Sequence, residues 1–295
     1  MPTPPDITLA HCLRVYTKEI LPTKAPRTQQ QHSRAYAVIL AYFGPLRLRD
    51  LTPARLRSWR DTLSGTLAPG TVRRYLATLS GPLTMAVREY GWLAENPLHL
   101  VRKPLAPPGR VRCLSDAERL RLLDACQQSV QPALYPLVVL ALSTGARRGE
   151  LSRLRWRDVE FQQGCVRFMQ TKNGQPRVVP LGAVALAVLQ AWCPAHAEHG
   201  AWVFPGTGCL PLHWAEAWRT ARRRAALQDF RFHDLRHTAA SYLAMSGASL
   251  REIAEVLGHK SIAQTYRYTH LTLPHTRGVV ERMSQQFLGE GGGSA

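Results

Sequence analysis

Residues 257–270 read Leu-Gly-His-Lys-Ser-Ile-Ala-Gln-Thr-Tyr-Arg-Tyr-Thr-His and contain a candidate nucleophile, Tyr268. Tyr268 follows His259 by nine residues and is itself followed by Thr269 and His270. A tyrosine hydroxyl has a pKa near 10, so it is a poor nucleophile unless a base or a positive field assists it. If Tyr268 reacts, cationic and basic partners must therefore come from elsewhere in the chain.

Two upstream segments offer such partners. In His233-Asp-Leu-Arg236-His237, the two residues three apart, His233 and Arg236, share one face if the segment is helical. In Thr144-Gly-Ala-Arg147-Arg148-Gly-Glu150, the glycine allows Arg147 to turn back toward a cleft, and Glu150 stands one turn on to orient it. Alone, the Arg147 segment is equally well explained by a surface arginine at the start of a helix, and segments such as the one at His233 are more often surface helix residues than catalysts.

A lysine at the tip of a predicted hairpin is the third feature. Residues 166–170 and 177–181 read as strands, and Lys172-Asn173-Gly174 lies between them. Asn-Gly is a strong signal for a tight turn. A lysine at that tip could reach a bound substrate, although a solvated turn lysine is the commoner case.

In order and spacing these segments resemble the tyrosine recombinase (phage integrase) family. The family pattern is an arginine after Thr-Gly-x, a hairpin lysine, His-x-x-Arg, Leu-Gly-His, and a tyrosine nine residues further on. The matching residues here are Arg147, Lys172, His233, Arg236, His259 and Tyr268. The pattern selects Arg147 over the adjacent Arg148, and Tyr268 over Tyr266, which two residues away would face differently on a helix.

The resemblance implies a site-specific DNA recombinase that forms a 3′-phosphotyrosine link and leaves a free 5′-hydroxyl. Arg147 and Arg236 would neutralise the non-bridging phosphate oxygens, and His259 would add a donor. His233 is the candidate base, and Lys172 is the candidate acid for the leaving oxygen. We also expect the cationic pocket to lower the pKa of Tyr268.

No cofactor and no metal are predicted. The chain contains no Gly-x-x-x-x-Gly-Lys-Ser/Thr pattern and no clustered carboxylates that would suggest a two-metal nuclease. Cys193, His196 and His199 form a short cluster, but the second ligand pair that a structural zinc site requires is missing. Because the covalent link stores the bond energy, religation should need neither ATP nor a metal ion.

Net charge identifies the partner class. The 38 basic residues exceed the 20 acidic ones, the formal net charge is +18, and only five of the basic residues are lysines. Arginine forks suit phosphate oxygens, so double-stranded DNA is the expected partner. No membrane-length apolar run and no signal-peptide pattern is present, so we expect a cytoplasmic protein with no membrane partner.

Helical spacing with turn punctuation predicts a mainly α fold with a small β-sheet (α+β). A four-helix DNA-binding domain, the counterpart of the family's core-binding domain, is expected over residues 1–102. A basic, proline-rich linker follows over 103–113, and its charge would allow it to lie along a DNA backbone. The catalytic domain is expected over 114–288, beginning with a Ser115–Glu118 capping box, and residues 289–295 are expected to be disordered.

The expected chemistry and the resemblance also bear on assembly and biological role. Exchange between two duplexes requires four cuts, so a homotetramer on DNA is expected, and the resemblance allows an accessory DNA-bending or directionality protein. A helix over residues 276–288 presents an apolar face that covers its own domain or docks into a neighbouring protomer, as in the family. Because the sequence begins with the expected core-binding helices, we expect no counterpart of the arm-site domain that the family's larger members carry. Both a compact Xer-like resolvase and a mobile-element integrase fit.

Two other classes of protein share part of these features. A type IB topoisomerase shares the tyrosine chemistry but only relaxes supercoils, and the arginine-rich helical first domain and the Leu-Gly-His to tyrosine spacing favour a recombinase. A DNA-binding regulator without catalysis would leave the six matched residues without a joint purpose.

Overall fold

The computed structural model describes residues 6–105, 110, 112–169, 175–194, 201–205, 214–271 and 273–288. The chain divides into two compact units, residues 1–109 and residues 110–295. The predicted class is confirmed: both units are mainly helical, and one small sheet is described in the second. None of the helices in the described ranges combines the length and the apolar character needed to cross a membrane.

The first unit contains the four predicted helices. They are α1 (Leu9–Glu19), α2 (Pro26–Phe43), α3 (Pro53–Ser64) and α4 (Pro69–Arg88). Thr52 caps α3 by accepting a hydrogen bond from the backbone N–H of Arg55, and Pro53 occupies the first turn, where its missing N–H costs nothing. Leu13, Ile39 and Trp59 meet in the core between the helices.

The second unit begins with the predicted capping box. The Ser115 hydroxyl accepts from the Glu118 N–H, and the Glu118 carboxylate accepts from the Ser115 N–H. The helices of this unit are α5 (Asp116–Gln127), α6 (Leu134–Thr144), α7 (Arg148–Leu151), α8 (Ala183–Trp192), α9 (Ala215–Arg224), α10 (Asp234–Met245), α11 (Leu250–Leu257) and α12 (Leu273–Phe287). Helix α6 is apolar on nearly every side because it packs against α5, α8 and α10.

The sheet has three antiparallel strands in the order β1 (Val159–Glu160), β2 (Cys165–Phe168) and β3 (Arg177–Pro180). Strands β2 and β3 were predicted and are confirmed, whereas the two-residue β1 is too short to leave a periodic signal. Val166 pairs with Val179, and both are buried in the core. The turn that was predicted at Lys172-Asn173-Gly174 lies outside the described residues.

Basic residues of the predicted linker bind carboxylates of the second unit. Arg110 contacts Asp229 and, at 3.1 Å, the buried carboxylate of Asp234. Arg112 forms a two-point ion pair with Glu118. These contacts pair both guanidinium groups with carboxylates and attach residues 110 and 112 to the unit that contains α10.

Candidate active site

Arg147 is positioned by a glycine that ends α6. Gly145 has a left-handed φ of 58°, and a Cβ at this position would lie 2.2 Å from Leu257 Cδ2. Only glycine fits such a turn without strain. The chain therefore reverses after Thr144, and Arg147 caps α7 with an extended backbone. Arg148 instead stacks on Trp214, 4.8 Å from the ring centroid, in keeping with the choice of Arg147.

Glu150 holds Arg147 in place, as predicted. Its carboxylate accepts hydrogen bonds from the Arg147 backbone N–H at 2.7 Å and from Nη1 of the same arginine at 3.0 Å. Burial alone would raise the pKa of Glu150. The hydrogen bonds from Arg177 and Arg147 outweigh it and lower that pKa, so the carboxylate stays ionised.

Arg177, on β3, is a second partner of Glu150 that sequence reasoning missed. Its Nη1 and Nη2 atoms lie 3.0 and 2.8 Å from the two carboxylate oxygens. Its Nε donates to the carbonyl of Val256 at 3.0 Å, and its stem passes so close to Gly258 that a Cβ there would be 2.9 Å from Arg177 Cδ. Arg177 therefore fixes Glu150, and through it Arg147.

Arg236 is almost completely buried, with 4% of its surface exposed. Its Nη1 donates to the Gly145 carbonyl at 2.8 Å, while Nη2 has no hydrogen-bond partner in the described part of the chain. Desolvation, together with the charges of Arg147 and Arg177, lowers the pKa of Arg236 to about 9. A buried guanidinium with an unused donor is an anion-binding group.

Two histidines predicted from the sequence lie beside these arginines. His233 directly precedes α10, and His259 follows α11 after the left-handed Gly258. His259 Nδ1 is 2.8 Å from the buried hydroxyl of Thr265. Desolvation and the charges of Arg236 and Arg147 lower the pKa of both imidazoles, that of His259 to about 4. Both are therefore neutral at neutral pH.

Tyr268 lies in a 3₁₀ helix, Tyr266–Leu271, with 1% of its surface exposed, whereas Tyr266 is 58% exposed. Tyr268 belongs to a buried apolar cluster that also contains Ala240, Ala244 and Leu257. The expectation that the cationic pocket lowers the pKa of Tyr268 is wrong for this structure. Burial raises that pKa, and the charges of Arg267 and Arg236 offset the effect only in part.

The hydroxyl of Tyr268 forms a hydrogen bond that was not anticipated. His237 Nδ1 lies 2.6 Å from it. Although His237 belongs to the quoted His233–His237 segment, the family pattern gave it no role. The signal was its place next to Arg236, in the segment that also contains His233.

These side chains line one cleft of about 350 Å³. The residues around it are Arg147, His233, Arg236, His237, His259, Gln264, Arg267 and Tyr268. Five of the six predicted site residues are thus brought together, while Lys172 lies outside the described residues, as do His196 and His199. Arg267 is an addition that the sequence did not flag. The cleft combines three arginines, three histidines and a tyrosine, a set suited to binding a phosphate diester beside a nucleophile.

The sequence of the chain is similar to a known protein family and to individual relatives. The model of the phage integrase family matches residues 112–275. A shufflon-specific DNA recombinase of Escherichia coli is 33% identical over 92% of this chain and 71% of its own length. The tyrosine recombinase XerC of Xanthomonas campestris pv. campestris is 32% identical over 71% of this chain and 66% of its own length.

Solved structures share the fold. The Tn1549 transposon integrase in complex with transposon right end DNA aligns with a TM-score of 0.76 at 17% identity, covering 94% of this chain and all of that one. A lambda integrase solved as a tetramer bound to a Holliday junction aligns with a TM-score of 0.70 at 22% identity, covering 86% of this chain and 78% of that one. At these identities the likeness concerns the fold.

Proposed function

Because the chain belongs to the phage integrase family, we propose that it is a site-specific DNA recombinase that cleaves and rejoins strands through a 3′-phosphotyrosine link at Tyr268. One observation carries this proposal: the hydroxyl of Tyr268 is buried in the same cleft as Arg147 and Arg236. A nucleophile and two phosphate-binding groups then act on one phosphorus atom.

Charge neutralisation is the task of the arginines. Arg236 Nη2 is a buried donor without a partner among the described residues, and Arg147, held by Glu150, lines the same cleft. Donors aimed at the non-bridging oxygens stabilise the charge that develops there as the tyrosine attacks. His259, whose Nδ1 is engaged by Thr265, has Nε2 left to contact an oxygen of the same phosphate.

Proton transfer completes the step. The hydroxyl proton of Tyr268 must be taken up as the oxygen–phosphorus bond forms, and the family pattern offers His233 as the base. The departing 5′-oxygen must receive a proton, which we assign to Lys172 from the family pattern. The phosphotyrosine conserves the energy of the broken bond, so the reaction needs neither ATP nor a metal ion.

The remaining parts of the molecule serve DNA binding and assembly. Residues 1–102 form the core-binding domain, 103–113 the linker and 114–288 the catalytic domain. Val279, Val280, Met283 and Phe287 are exposed on α12, which supports docking of this helix into a neighbouring protomer of a tetramer. An accessory DNA-bending or directionality protein joins the complex where the reaction has a direction. The reaction serves integration and excision of a mobile element or an Xer-type resolution, and takes place in the cytoplasm.

Covalent capture tests the proposal. Wild-type protein is incubated with nicked duplexes whose sequence around the nick is randomised, so that cleavage releases a short 5′-hydroxyl fragment and traps the adduct. Trapped DNA is sequenced, and two copies of the enriched site are placed on one plasmid. We expect an adduct and recombination between the copies. DNA binding without an adduct would refute the enzyme assignment, and relaxation of supercoils without recombination would indicate a topoisomerase.

A further inference from the structure

The contact between His237 and Tyr268 is a feature of the cleft to which the family pattern gives no role. The two groups are 2.6 Å apart, the distance of a short hydrogen bond between a hydroxyl and an imidazole nitrogen. Their ring centroids are 6.1 Å apart at an angle of 45°, so the rings meet through polar edges rather than by stacking. Because Tyr268 is buried, its hydroxyl forms this hydrogen bond away from bulk water.

The other cleft histidines have different contacts. Nδ1 of His259 faces Thr265, and the imidazole of His233 packs edge-on against that of His237, with centroids 5.4 Å apart. Among the residues that the structure describes, His237 is the histidine that meets the tyrosine oxygen. A general base must lie within hydrogen-bond reach of the proton that it takes. By this criterion His237 is better placed than His233.

The protonation state also suits a proton acceptor. Desolvation and the neighbouring charges lower the pKa of His237 to about 4, so the ring is neutral at neutral pH and one nitrogen carries a free lone pair. The groups that act on it are His233, Asp234 and Arg236 from its own helix segment, and His259, Arg267 and Tyr268 from the facing elements. A phosphate diester bound in the cleft would offset the positive charge of Arg267 and Arg236 and so raise the pKa of His237, bringing it closer to that of Tyr268.

We propose that His237 accepts the hydroxyl proton of Tyr268 during cleavage and returns it during religation. This inference rests on the proposed function and names the base for it. As the bond between Oη and phosphorus forms, the proton on Oη moves to Nδ1 of His237. The bond from phosphorus to the 5′-oxygen breaks at the same time, and that oxygen takes its proton from the acid on the other side of the phosphate. In the reverse step the 5′-hydroxyl attacks and gives its proton back to the conjugate base of that acid, and His237 reprotonates the departing tyrosine.

The test compares single-turnover adduct formation by wild type, His237→Asn, His233→Asn and the control His270→Asn on the captured nicked duplex across pH. Asparagine places a polar atom near the position of Nδ1 but takes up no proton. His270 is an exposed histidine of the same 3₁₀ helix as Tyr268, outside the cleft lining. Melting and DNA affinity are measured for each protein, and His237→Gln replaces His237→Asn if the latter does not fold.

We expect His237→Asn to bind DNA as wild type does and to form the adduct about 100-fold more slowly, a typical loss for a general base. The pH profile of wild type should bend as His237 loses its proton, a bend that disappears in His237→Asn and persists in His233→Asn and His270→Asn. A merely structural histidine would change the rate without changing the shape of the profile. A 5′-bridging phosphorothiolate, whose thiolate departs without a proton, should not restore the rate.

Three results would overturn the proposal for His237 alone. They are a His237→Asn rate within about threefold of wild type, a bend that persists in that variant, and full recovery on the phosphorothiolate, which would place His237 on the leaving-group side. Absence of an adduct with wild type itself would instead refute the proposed function, so the two failures are distinguishable.

Discussion

Replacement of Arg177 by methionine tests how the cleft is held together. The Glu150 carboxylate accepts four hydrogen bonds, two from Arg147 and two from Arg177, and the side chains of Arg177 and Glu150 are 8% and 3% exposed. Methionine keeps much of the stem that packs beside Gly258 but removes two of the four bonds. Removing one partner of a buried ion pair costs about 3–5 kcal/mol. Because Arg147 remains, we expect the lower end, about 3 kcal/mol.

Amide hydrogen exchange measures this loss of stability in the second unit, which contains Arg177 and Glu150. If the amides of α6 and β2 exchange through unfolding of the second unit, a loss of about 3 kcal/mol accelerates them roughly 100-fold. Amides of α1–α4 should be unaffected and serve as an internal reference. Arg251→Met is the matched control, because its ion pair with Glu255 is exposed on both sides and should contribute little. If the β2 amides of Arg177→Met exchange at the wild-type rate, the ion pair between Arg177 and Glu150 does not stabilise the second unit as we propose.

Three further predictions concern the backbone, acid stability and DNA affinity. Gly145→Ala should destabilise the fold by about 1–3 kcal/mol, seen as a lower melting temperature, because φ is positive and the new Cβ meets Leu257; an unchanged melt would contradict the turn. The Arg112 ion pair lowers the pKa of Glu118 to about 2, so its contribution to stability is complete above about pH 4.5 and is lost toward pH 2. Glu118→Gln removes this contribution and should make the free energy of unfolding depend less on pH over that range; a variant with the wild-type pH dependence would contradict the prediction. DNA affinity should fall by about 1000-fold between ~50 and ~200 mM salt; a flat dependence would argue against the arginine excess as a DNA-binding feature.

Local signals in the sequence were enough to locate much of this architecture. Thr52 and the Ser115–Glu118 pair are capping residues whose role depends on neighbours within three positions, so they could be identified without a fold. Tyr268 was identified because its spacing from His259 is itself part of a family pattern. Information of this kind is contained in a few adjacent residues.

Features that depend on residues far apart in the chain were not predictable in this way. Arg177 meets Glu150 across 27 positions and His237 meets Tyr268 across 31, and nothing in either local sequence specifies the partner. The direction of the pKa shift of Tyr268 was predicted wrongly for the same reason. The nearby positive charges could be counted from the sequence, but the burial that outweighs them comes from the apolar cluster that Tyr268 forms with Ala240, Ala244 and Leu257.

Mass-spectrometric mapping of the trapped adduct tests the central claim most directly. The covalent complex is digested with protease and nuclease, and the nucleotide-bearing peptide is fragmented to locate the modified residue. We predict a nucleotide attached through its 3′-phosphate to Tyr268, no adduct from Tyr268→Phe despite normal DNA binding, and a normal adduct from the control Tyr266→Phe. A nucleotide on Tyr266 or on another residue, or an undiminished adduct from Tyr268→Phe, would contradict the account.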